Sequence, residues 1–147
     1  MNTNTLPATI LAAKEKFELA CKDASALQIV SNFGAAFTAV NVIALLREAM
    51  TDEVMDKVFM PLMNTKIGFL TDRNGRARSG GRAPLPLYTR DIVRDCIIDA
   101  VTIGLLPTGN QFNIIAERMY PTKEGYTSLL RKLGVKYFID TSYDKGQ

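Results

Sequence analysis

The chain has 147 residues, 47% of them hydrophobic, which is enough for one ordinary globular domain with a real core and excludes disorder along its whole length. Eighteen Lys and Arg against fifteen Asp and Glu give a formal charge of +3, and there is no histidine. That absence removes serine-type triads, most imidazole acid-base schemes and the common His-containing zinc sites, so hydrolytic readings lose most of their support. No Gly-x-x-x-x-Gly-Lys-Ser/Thr loop is present either, and no ATP site is expected.

No run of eighteen uncharged apolar residues occurs, and Met1-Asn2-Thr3-Asn4-Thr5 lacks the basic and apolar parts of a signal peptide, so a cytoplasmic protein without a membrane segment is expected. Cys21 and Cys96 stand in no metal-ligand spacing and read as small buried apolar residues, with neither disulfide nor zinc. Charge is uneven along the chain. Residues 1–60 carry five Lys/Arg against seven Asp/Glu, and residues 61–147 thirteen against eight. A basic second half suits an anionic partner such as nucleic acid, and equally an ordinary soluble surface.

In chain order, the first helix is expected from Pro7, with Thr5 as a cap and Ile10, Ala13, Phe17, Ala20 and Ala24 at helical spacing. A second is centred on residues 35–50, with Phe33, Phe37, Val40 and Leu45 as core contacts; Gln28-Ile29-Val30 could form a short strand before it, and Gly34 could break it. Thr51 followed by Asp52 and Glu53 is a helix start, predicting a third helix over Asp52–Met60 that Pro61 bends or ends. Met55, Met60 and Met63 read as adaptable core.

Between Asp72 and Pro86 the apolar pattern disappears into a Gly- and Ser-rich stretch carrying Arg73, Arg76, Arg78 and Arg82. With little apolar surface to offset its ordering, residues 71–87 are expected to be a mobile loop, the tip of a hairpin with arms Ile67–Leu70 and Leu85–Tyr88. Its arginines could engage phosphates without reading sequence, or could simply be solvated. The fourth helix, Arg90–Ile103, is expected to be largely buried. Its Asp91, Asp95 and Asp99 lie one turn apart and could in principle hold a hard cation, although a solvated face with Arg94 pairing Asp91 or Asp99 is the simpler reading.

Gly104 suits a left-handed helix end, Pro107 cannot continue a helix, and Thr108-Gly109-Asn110 is turn chemistry. A strand over 111–119 then alternates Phe112, Ile114 and Ala116 against Asn113, Ile115 and Glu117. A helix over Thr122–Leu133, Gly134 as its C-cap and a strand over Val135–Tyr143 follow. The expected class is α+β in one domain over 1–147: a helical part (7–63) packed on a small sheet, the Arg/Gly loop, and a helix, strand, helix, strand core (88–147).

Arg118, Tyr120, Lys123, Tyr126, Arg131, Lys132 and Lys136 mix cations with aromatic rings around the last strand-helix junction. Cations attract phosphates and rings stack unpaired bases, which is what single strands need. Tyr126 fits better as part of a buried stripe with Leu129, Leu130 and Leu133, while Tyr120 and Lys123 fit a binding role.

The order Ile103-Gly104-Leu105-Leu106-Pro107, a strand ending in Tyr120-Pro121, and Glu124-Gly125-Tyr126 opening an apolar-basic helix resembles the central segment of the RecT/Red-beta family of phage single-strand annealing proteins. The similarity covers roughly residues 54–135 and is strongest over 104–133. It implies single-stranded DNA binding in a positively charged groove and annealing without ATP, as rings or filaments, with Arg118, Lys123, Arg131 and Lys132 on or near that groove. The family pattern has Tyr-Arg-Gly where this chain has Tyr126-Thr127-Ser128, which removes one groove cation. Family cores also continue for several strands, so the chain reads as a fragment or a reduced relative, and a strand at Val135–Tyr143 would offer an edge to another subunit. Single-stranded DNA and further copies of the chain are the expected partners, with a host single-strand-binding protein or a phage exonuclease beside them; neither cofactor nor enzymatic activity is expected. Two other classes remain open: a duplex-DNA regulator using Thr122–Leu133 as a recognition helix, and a structural oligomerisation module.

Overall fold

A computed structural model describes residues 7–27, 33–132 and 134. Five helices and a small sheet make a mixed α+β architecture, in the order α1 (Ala8–Leu27), α2 (Gly34–Ala49), α3 (Asp52–Val54), β1 (Leu70–Thr71), α4 (Arg90–Thr102), β2 (Phe112–Ile115), β3 (Arg118–Pro121) and α5 (Lys123–Lys132). The expected Thr5 cap, the strand at Gln28-Ile29-Val30 and the strand at Val135–Tyr143 lie outside the described residues. Among the described residues no helix is long and apolar enough to cross a membrane.

α1 buries the face its spacing predicts: Ile10, Ala13, Ala20 and Ala24 enter the core, and Phe17 meets Phe59 edge to face at 5.3 Å. α2 is turned differently from expectation. Val42, Leu46, Ala49 and Met50 are buried and Leu45 packs against the core, whereas Phe33, Phe37 and Val40 face outward. The helix has no charge before Arg47, so its sequence offers two apolar stripes. Its rotation follows the stripe that meets α1 and α4, with Lys16–Glu48 (2.6 Å) and Arg47–Asp95 (3.3 Å) at the margins. Gly34 opens α2 rather than breaking it.

Thr51 caps the next helix as expected, its hydroxyl accepting the Val54 amide at 3.2 Å. The winding widens to a π turn over Met55–Phe59, then tightens to a 3₁₀ turn over Met60–Leu62 with Pro61 inside it. Arg94, on α4, clamps the α2–α3 corner: Nε donates to the Met50 carbonyl (2.8 Å), while the two terminal nitrogens reach Asp91 (2.8 Å) and Asp52 (2.7 Å). Met55 is fully buried, and Met60 and Met63 pack against the core.

Two strand expectations are corrected. Residues 67–70 and 85–88 do not pair as hairpin arms; β1 instead runs parallel to β2, with Leu70 opposite Asn113 and Thr71 opposite Ile114. The segment expected as one strand over 111–119 is a hairpin, β2 paired antiparallel with β3, giving a mixed sheet of order β1-β2-β3. Its two-residue turn is Ala116-Glu117, both at positive φ (51° and 68°). This is the geometry that two-residue hairpins favour, occupied by residues that do not announce it. Gly104 has the expected left-handed backbone (φ 93°) after α4. Phe112, Ile114 and Phe69 are fully buried, with the rings of Phe69 and Phe112 stacked at 5.1 Å.

Candidate nucleic-acid interface

α5 begins where the sequence places it. Thr122 accepts the Gly125 amide (3.0 Å) and donates to the Asn110 carbonyl (2.6 Å), so one hydroxyl caps the helix and ties it to the turn before β2. Gly125 is a close-packing position: a Cβ there would stand 2.1 Å from the Gln111 carbonyl oxygen. This contact seats α5 against the 109–111 turn and opens a shallow cleft of about 480 Å³ lined by Gly109, Gln111, Lys123, Glu124, Thr127 and Arg131, with Ser128 beside them. Lys123, Thr127 and Arg131 are four residues apart and share one face, the backbone positions of the two cations lying about 12 Å apart along the helix. Glu124 contributes the one carboxylate in this lining.

The other residues of the junction separate into distinct environments. Arg118 and Tyr120 alternate with Met119 on β3; Met119 packs on the core and the other two are exposed, on the sheet face shared with Asn113 and Ile115. Lys132 donates to the Gly104 carbonyl, bracing α5 against the end of α4, so its ammonium already has an internal partner. Tyr126, expected to be buried, is 58% exposed, because α5 makes its closest approach through Gly125 one position earlier. Leu129 and Leu130 are half-buried, as a stripe would be, while Lys136 lies outside the described residues.

The arginine loop is also divided. Arg76, Arg78 and Arg82 are exposed, yet Arg78 Nε donates to the Ala83 carbonyl (2.8 Å) and Arg82 Nε to the Ser79 carbonyl (3.1 Å), so both heads fold back on the loop backbone. Arg73 is half-buried and stacks over Tyr88, its guanidinium carbon 4.5 Å from the ring centroid. Of the four arginines it is the one integrated into the fold.

Tyr88 and Asp72 form a constellation that sequence reading missed. The buried Tyr88 hydroxyl donates to the Asp72 carboxylate and accepts the Glu117 amide (3.1 Å), while Asp72 also accepts the Ala116 amide (3.1 Å). Cys96 Sγ lies 3.5 Å from the Glu117 carbonyl as a weak donor. The left-handed turn is thus gripped from three sides, and Tyr88 joins the root of the arginine loop to the hairpin that carries Arg118 and Tyr120. Burial raises the Asp72 carboxyl pKa, but hydrogen bonds from Tyr88 and the Ala116 amide outweigh it and the net direction is downward. Burial, then the Asp72 contact, pushes Tyr88 up. Only the positive-φ turn could have signalled this grip, and Ala-Glu hides it.

Neither cysteine is poised to react: burial, followed by Asp99, Asp95 and Glu117, pushes Cys96 up to about 11, and burial raises Cys21 despite nearby Lys132. Asp91 and Asp95 pair with Arg94 and Arg47, and among the described residues no three acidic or cysteine side chains are placed to hold a metal ion. A scan against protein-family models, a search of curated proteins and a search of solved structures each found no match.

Proposed function

We propose that the chain binds single-stranded DNA without sequence preference and pairs complementary strands without a nucleotide cofactor. The observation that carries this reading is the α5 cleft, where Lys123 and Arg131 stand on one helix face over a polar floor, with Arg118 and Tyr120 exposed on the adjoining strand. Two exposed cations on one helix face suit phosphates along one strand, and an exposed ring on a strand suits a base. The basic second half of the sequence and its resemblance to single-strand annealing proteins point the same way. Arg76, Arg78 and Arg82 would add backbone contacts from the loop, with Arg78 and Arg82 giving up their present carbonyl partners.

The duplex-regulator reading is the weaker one, because the element immediately before α5 is strand β3 and a helix-turn-helix needs a helix there. An annealing assay decides between the classes. Complementary oligonucleotides carrying a fluorophore and a quencher should pair faster with the protein than without it, in the absence of ATP. No acceleration together with tight binding to one duplex sequence would establish the regulator instead.

A further inference from the structure

The outward face of α2 is built from core chemistry. Phe33 is 92% exposed, Phe37 74% and Val40 64%, and Ala36, Asn41 and Ala44 are exposed beside them. No charged residue occurs from Phe33 to Leu46. Apolar residues scattered singly on a surface need no explanation, but two adjacent rings on an uncharged helix face form a contiguous patch. We infer that this face is a self-association surface, and that its occupant is the same face of a second copy of this chain.

Three features select a second copy. The face carries no charge, so it has no electrostatic complement to seek in a different partner and meets no like-charge repulsion with itself. It also contains both projections and the recess that receives them: in an antiparallel pairing with the two-fold axis between residues 37 and 40, Phe33 of one copy lies over Ala44 of the other and Phe37 lies over Val40. Such isologous contact is the commonest arrangement of homodimers. Finally, the two rings present on the order of 300 Å² per copy. With Val40 and the alanines, two copies would cover roughly 1,000 Å², at the low edge of what specific association needs. The expected assembly is therefore a concentration-dependent dimer that forms independently of nucleic acid.

Sedimentation of the full chain over a wide concentration range tests this, with Phe37→Glu and Ala44→Lys as variants and thermal melts on each. Phe37→Glu places charge among the rings; Ala44→Lys leaves both rings intact and fills the recess. The expected result is a reversible dimer that both variants weaken at least tenfold with little dependence on salt, and melting midpoints that are unchanged at concentrations where the wild type is monomeric. A wild-type chain that is monomeric throughout would overturn the proposal, as would a dimer unaffected by both variants. A large loss of thermal stability in Phe37→Glu at concentrations where the wild type is monomeric would also overturn it, because the face would then be covered within its own chain.

Discussion

Replacing Tyr88 by Phe isolates one hydroxyl in a half-buried network. The ring is 2% exposed and keeps its packing and its contact with Arg73, so the change removes only the hydrogen bond donated to Asp72 and the one accepted from the Glu117 amide. A hydrogen bond to a charged group contributes about 1.5–3 kcal/mol and a neutral one about 0.5–1.5. Relaxation of the turn toward water returns part of this, leaving a net loss of about 2 kcal/mol. The turn gives the change its leverage, since Ala116 and Glu117 each hold a left-handed backbone that costs roughly 1–2 kcal/mol outside glycine. For a chain of this size a 2 kcal/mol loss lowers the melting midpoint by roughly 4–8 °C. Denaturant unfolding should show a lower midpoint with an unchanged slope, and the amides of Ala116 and Glu117 should exchange faster while those of α4 do so only in step with global stability. Unchanged stability, or loss without selective exposure of the turn, would refute the view that this pair grips the hairpin.

Four further outcomes follow from the same geometry. Gly125→Ala forces a Cβ against the Gln111 carbonyl and should cost about 1–3 kcal/mol, visible in a melt; a neutral result would show that α5 can lift freely. Tyr120→Ala should cost roughly 1–3 kcal/mol of single-strand affinity with little change in salt dependence, measured by fluorescence anisotropy at two ionic strengths. Asp72, whose carboxyl is held below its ordinary value, contributes stability that is present above about pH 4 and lost as pH falls through the folded-state value; Asp72→Asn should flatten that acid limb in pH-dependent unfolding. Cys96, pushed to about 11, should resist alkylation at pH 8 in the folded protein, and mass spectrometry showing rapid modification there would contradict its burial.

The features legible in the sequence were those set by local chemistry. Thr51 and Gly104 mark the ends of helices through a hydroxyl and a missing Cβ, and the spacing of Ile10, Ala13, Ala20 and Ala24 selects one face of α1 without tertiary information. Where two answers were locally equal, sequence reading failed. α2 has apolar residues around its circumference, so only packing against α1 and α4 decides that Val42 and Leu46 are buried and Phe37 is not. The hairpin was hidden for a different reason: Ala116-Glu117 carries no turn signal, and its conformation is imposed by Asp72 and Tyr88, which lie 44 and 29 residues away from the amides they bind. At the interface, Lys123 and Arg131 were legible as helix neighbours. Lys132 was not separable from them, because its partner, the Gly104 carbonyl, is remote in sequence.

The most direct test of single-strand recognition by the α5 cleft is a binding titration of the wild-type chain and a Lys123→Ala, Arg131→Ala double variant, with single-stranded and duplex DNA of the same sequence at two salt concentrations. The wild type should prefer the single strand. The double variant should stay folded, bind more weakly and lose about 1.4 from the slope of log affinity against log salt, since each phosphate contact on a single strand contributes about 0.7. A wild-type chain that prefers the duplex, or a double variant with undiminished affinity and slope, would contradict the cleft as the nucleic-acid site.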